Sequence, residues 1–230
     1  MNSTERNFAK TFAGISLGLL LALTGASALA AGGGDAHGDD AHHSTKPVRG
    51  DAAKGQSLAA PCAACHGQDG NSVAPLYPNI AGQGYRYLVK QLEMIKSGER
   101  SAPLMVGQLD NMSEQDLKDL ATYFSEQTPK VGQAKDANLV QGERIYRGGI
   151  LDKQVAACTA CHGPRGSGNE PAGFPSLNGH PVEYLIDQLT KYREGERATD
   201  EAQGQMMRNI AHSLNDGEIE AVSNYIVGLH

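Results

Sequence analysis

The sequence predicts an all-α protein made of two tandem copies of one domain. Three observations carry this. From residue 51 onward the chain repeats itself: "YPNIAGQGYRYLVKQLEMIKSGER" is answered by "FPSLNGHPVEYLIDQLTKYREGER", and "MSEQDLKDLATYF" by "LNDGEIEAVSNYI". The copies are offset by 96 residues between Cys65 and Cys161, too long for a solenoid unit and right for a domain. Apolar residues recur at helical spacing between cap signals, and no stretch alternates as a strand would. Finally, the same short cysteine motif stands at the same place in each copy.

The copies divide the chain into a first domain over 51–128 and a second over 138–230. They are joined by the polar, breaker-rich linker 129–137, within "QTPKVGQAKDAN". In the first copy a short helix precedes Cys62. A second helix carries Leu88, Leu92 and Ile95 on one face and stops at Gly98. A third opens at Ser113 with Asp116 in the capping-box position and turns Leu117, Leu120 and Phe124 inward. The second copy matches: Pro181 starts a helix, Leu185 and Leu189 mark its inner face, and Gly195 stops it. Its last helix opens at Asn215, with Glu218 three residues on and Ile219, Val222 and Ile226 facing in.

Composition limits the function. Of 230 residues 40% are hydrophobic and 20% charged, so the chain is globular; its net charge of -6 speaks against nucleic acid. Two small domains with no tryptophan have few large side chains for a core and need a staple, a metal or a cofactor.

The four cysteines all lie in "CAACHG" (Cys62, Cys65) and "CTACHG" (Cys158, Cys161). A disulfide within either pair is awkward on a helical turn and leaves the following histidine unexplained. The pairs lie too far apart for a zinc knuckle, and no βαβ pattern accompanies them as it does a redox dithiol. The spacing fits covalent haem attachment: two thiols add to the two vinyl groups on one porphyrin edge, and the next residue is held beneath the iron. Two covalently bound haem c groups are therefore expected, with His66 and His162 as axial ligands.

The second axial ligand separates electron transfer from catalysis. Outside the proximal pair and the N-terminal segment, the remaining histidines His180, His212 and His230 all fall in the second copy, so bis-histidine ligation cannot repeat. Methionine can. Met105 and Met207 each lie eight residues before the caps Ser113 and Asn215 and are the expected ligands. Met112 reads as a hydrophobic staple, Met206 aligns with Leu104, and Met94 reads as core. A ligating histidine gives its other ring N–H to an acceptor; the carbonyls of Pro78 and Pro175, matched in the two copies, are candidates, the alternative being that these prolines only shape the loop.

The N-terminus divides into 1–30 and 31–50. Arg6 and Lys10 precede an uncharged run from Thr11 to Gly34, with small residues at Ala28 and Ala30. This reads as a signal peptide cleaved after Ala30. The rival is an uncleaved membrane anchor, since such a helix would extend roughly 36 Å. Residues 31–50, rich in Gly, Asp and His, read as a flexible linker with a span of about 25 Å.

Taken together, "CAACHG", "AGQGYRYLVKQL", "LDNMSEQDLKDLATYF", "YRGG", "CTACHG" and "NYIVGLH" resemble the dihaem cytochromes c of the c-four type, two fused class I cytochrome c domains. The resemblance covers residues 51–230. It implies two class I domains each wrapped around one haem, His–Met ligation at both irons, and a periplasmic electron carrier rather than an enzyme. Its implied acceptor is a terminal haem–copper oxidase, its donor a quinol–cytochrome c reductase-type complex, and it associates loosely with the membrane surface. Two other functions remain open at this point: a subunit of a larger oxidase or dehydrogenase complex, and a dihaem peroxidase, which would need an iron with a displaceable ligand.

Overall fold

The computed structural model describes residues 49–230; the expected signal or anchor segment 1–30 and nearly all of the linker 31–50 lie outside the described residues. The described chain is helical, and its extended pairing is limited to two isolated bridges, Ile150 with Val155 and Asn169 with Phe174.

The first domain is built from α1 (Ala52–Leu58), α2 (Ala60–His66), α3 (Tyr85–Ser97) and α4 (Glu114–Ser125). Local chemistry fixes each end. Asp51 caps α1 by accepting from the amides of Ala53 and Lys54. Gly98 ends α3 in the left-handed region at φ 81°, where a side chain would be strained. Ser113 and Asp116 close a full capping box on α4. The core gathers Ala59, Tyr85, Leu88, Leu120, Ala121 and Phe124, and Met112 packs against it. Burying each such leucine contributes about 1.5–3 kcal/mol.

The second domain comprises α5 (Leu139–Gly148), α6 (Thr159–His162), α7 (Val182–Arg193), α8 (Met206–His212) and α9 (Asp216–Val227). Asn215 and Glu218 repeat the capping box on α9. Ile145, Tyr146, Leu185, Val222, Ile226 and Leu229 form one cluster, and Val155, Leu214 and Ile219 a second beside it.

In both domains the first and last helices cross on a glycine. A Cβ on Gly55 would stand 2.1 Å from the Asp119 carbonyl oxygen, and one on Gly142 would stand 2.1 Å from that of Ala221. Only hydrogen fits there.

Two differences between the copies bear on the loops around the cysteine motif and the methionines. The extra residues of the second, "GGILDKQ", form a 3-10 turn over Leu151–Lys153 closed by the Ile150–Val155 bridge. The matched methionines also sit in different backbone: Met105 ends a 3-10 turn, Pro103–Met105, whereas Met207 lies in α8. Gly107, at φ 80°, stops the chain from continuing as helix where the second copy has Asn209.

The domains are joined by a connection tied down on both sides. Asn71 donates to the Thr128 carbonyl at 3.0 Å and accepts from the Lys130 amide at 2.7 Å; Asn224 accepts from the Lys135 amide and donates to its carbonyl, both at 2.8 Å. Across the interface, Gln83 donates to the Ser176 carbonyl at 2.9 Å and accepts from the Ser176 amide at 2.8 Å. Asn79 donates to the Gly179 carbonyl.

Candidate haem sites

Each C-x-x-C-H motif ends a helix on its histidine. His66 is the last residue of α2 and His162 of α6, and the glycine that follows turns the chain away at φ 76° and 77°. The turn brings the imidazole against a proline loop from the same domain. His66 Nδ1 meets the Pro78 carbonyl at 2.9 Å, and His162 Nδ1 meets that of Pro175 at 2.9 Å. Since a carbonyl only accepts, Nδ1 carries the proton and Nε2 keeps its lone pair, the form a metal-binding imidazole requires. Burial lowers the pKa of both histidines, and the carbonyl contact opposes it.

No disulfide joins any two of the four cysteines, which leaves each pair for covalent attachment. Burial pushes Cys62 up and Cys158 up to about 11. Above each motif opens an apolar cavity, about 490 Å³ in the first domain and about 320 Å³ in the second, within the range of organic ligand sites. Leu88, Leu92, Ile95, Leu120 and Phe124 wall the first; Ile145, Leu185, Leu189, Ile210 and Val222 wall the second. Leu92, Ile95 and Leu189 lie on the faces that helical spacing turns inward, yet protein atoms cover them only in part. Their packing partner is the cavity's occupant. A flat apolar ring anchored by two thiols fits both the shape and the donors.

Met105 lines the first cavity, and Met206 and Met207 line the second. Met112 and Met94 are not part of the first cavity's wall. Met94 is buried, with the Gln91 amide 3.9 Å from its sulfur.

One set of residues escapes sequence reasoning. Tyr87, Gln91 and Arg100 of the first domain meet Tyr184, Gln188 and Arg197 of the second in a polar layer between the two cavities. A signal was present: each pair is identical and lies 97 residues apart. These polar identities do not serve the apolar helix faces, so only a shared contact explains them.

Two helical units, each with a thiol pair and a fixed histidine at the floor of an apolar cavity, define a dihaem c-type cytochrome. The cytochrome c family model matches residues 52–128 and again 142–230. Cytochrome c4 of Azotobacter vinelandii is 50% identical over 190 residues, covering 79% of this chain and 90% of that protein. The crystal structure of reduced recombinant cytochrome c4 from Pseudomonas stutzeri superposes with a TM-score of 0.77 at 49% identity, over 79% of this chain and all of that one. More distantly, a thiosulfate dehydrogenase electron acceptor of Stutzerimonas stutzeri strain A1501 is 34% identical, over 73% of this chain and 78% of its own. The chain belongs to the cytochrome c family and, within it, to the dihaem cytochromes c4. Cys62 and Cys65 hold one covalent haem c, and Cys158 and Cys161 the other.

Proposed function

We propose that this dihaem electron-transfer cytochrome works in the periplasm, accepts electrons from a quinol–cytochrome c reductase-type complex and delivers them to a terminal haem–copper oxidase. His66 with Met105, and His162 with Met207, would hold the two irons. One observation carries the ligand assignment: each cavity contains a histidine whose Nδ1 is occupied by a proline carbonyl and a methionine at the matched position of the repeat. A haem bound here would supply a one-electron iron couple, and a thioether paired with an imidazole would set its potential in the range of respiratory donors. The protein's own work is to hold both ligands, exclude water with apolar walls and keep the imidazole oriented. An iron held by both side chains would offer no place to peroxide, which favours a carrier over an enzyme.

Absorption spectra of both oxidation states, with carbon monoxide added to the reduced form, test this. Two methionine-ligated spectra and no carbon monoxide adduct support the reading; an adduct at either iron replaces it with a catalytic one. A pull-down from solubilised membranes with haem staining and an oxidase assay tests the acceptor and separates a free carrier from a complex subunit.

The 34% relative favours a second reading, in which the electrons come from a thiosulfate dehydrogenase. Reduction of the purified cytochrome by that enzyme, but not by a quinol-oxidising complex, would select it. For location, we infer cleavage after Ala30 and reversible membrane association. Among the described residues no helix is long and apolar enough to cross a membrane. N-terminal sequencing with a salt wash decides: a chain that begins at Met1 and resists salt is tethered.

A further inference from the structure

The polar layer between the two cavities follows the repeat. Arg100 donates to Gln91 of its own domain at 2.8 Å, and across to Tyr184 at 3.3 Å and Gln188 at 3.2 Å. Arg197 donates to its own Gln188 at 2.5 Å, and across to Tyr87 at 2.8 Å and Gln91 at 3.1 Å. No carboxylate pairs with either guanidinium among the described residues. The repeat breaks at one member. Where the first domain has Gln83, the second has His180, 97 residues on. Gln83 uses both ends of its amide on Ser176. His180 is 8% exposed, lines both cavities, and leaves its Nδ1 without a hydrogen-bond partner.

We propose that His180 couples one proton to the electrons held by the two haems, making the potential of this carrier depend on pH. The groups that face it are named by the packing. Arg197 and Arg100 act on it by charge, as does His66 from the first domain, and the Tyr184 ring lies tilted against it, 5.1 Å between ring centres. Tyr87 stands beyond, bonded to Arg197, and the Asp187–Lys191 pair closes on itself at 2.7 Å on the rim of the first cavity. Burial pushes the imidazole down to about 4; the Ser176 backbone opposes this, and Arg197, Arg100 and His66 add to it. Carboxylates that a haem brings into either cavity act in the opposite direction, as does an added electron. When an electron from the donor enters either iron, one positive charge is lost there and Nδ1 of His180 takes one proton from solvent. When the electron leaves, so does the proton. Reduction is thereby favoured in acid.

This inference rests on both irons being redox-active and on no particular acceptor. Spectroelectrochemical titration of the dihaem protein between about pH 4 and pH 8 tests it. In the wild type the potential of at least one haem rises as pH falls. H180Q, which gives the second domain the residue of the first, loses that rise and retains two haems and both methionine bands. H180N repeats the test without a long amide. The proposal is overturned by wild-type potentials flat across this range. It is also overturned if both variants keep the wild-type slope, which would assign the titration to the haem carboxylates. Failure of the ligand assignment has a different signature, a missing methionine band in the wild type.

Discussion

His66 and His162 show how few residues fix an imidazole. A helix end, a left-handed glycine and a proline carbonyl 2.9 Å away leave each imidazole one tautomer and one orientation. The methionines are less constrained, and substitution tests them directly. Met105→Ala and Met207→Ala should each abolish the methionine-to-ferric-iron band of one haem, open that iron to carbon monoxide and lower its potential. Met112→Ala and Met206→Ala should leave both spectra intact; a haem opened by Met112→Ala would show that the ligand is not at the position matched by the repeat. At the same scale, Glu218 closes the α9 capping box and accepts from Lys153 at 2.8 Å. Burial acts to raise its pKa, but the bonds from Lys153 and the Asn215 amide outweigh it, and the net shift is downward. A depressed carboxylate pKa adds stability above the usual carboxylate range, and this is lost as pH falls through the folded value. Glu218→Gln should therefore lower the melting temperature at neutral pH, by an amount corresponding to about 1–2 kcal/mol. The difference from wild type should vanish in strong acid, as thermal melts at both pH values would register.

Helices here are positioned by what is missing as much as by what packs. Gly55 and Gly142 let α1 lie on α4 and α5 on α9 at backbone contact. Gly55→Ala or Gly142→Ala must push the helices apart, and each should destabilise its own domain by about 1–3 kcal/mol in denaturant unfolding of the haem-loaded protein. A neutral result at either position would mean that the crossing is looser than 2.1 Å implies. The same scale explains why equivalent methionines sit in unlike backbone: Pro103 and Gly107 confine the first to a 3-10 turn, while the second copy has no breaker between Met206 and His212.

For the molecule as a whole, the haem is the centre of each domain. Leu92 and Ile95 line the first cavity and are only partly covered by protein atoms, and completing the burial of each such side chain contributes about 1.5–3 kcal/mol. A few such contacts are a large share of the stability of an ordinary domain, about 5–15 kcal/mol. Removing the first attachment site with C62S and C65S together should therefore unfold the first domain and leave the second folded with one haem. Mass spectrometry should then fall from two haem additions to one, and circular dichroism should lose much of the first domain's helix. Retention of full helicity would show that protein contacts alone hold the first domain together.

The sequence by itself determined the architecture and the covalent attachment of two haems. Those depend on short-range patterns: cap residues such as Ser113 and Asn215, glycine stops, helical apolar spacing, and five-residue motifs whose spacing is dictated by the porphyrin edge. The duplication made every such signal appear twice. What only the tertiary structure decided lies between distant residues. Half-exposed Leu92 and Ile95 could not be told from core by spacing, because their partner is not protein. The tie of each histidine to its proline carbonyl needed a loop path that no periodicity encodes. Arg100, Arg197 and His180 carry no local signature at all, since a buried polar group is specified by what surrounds it, and here the surroundings come from two domains about a hundred residues apart in the chain.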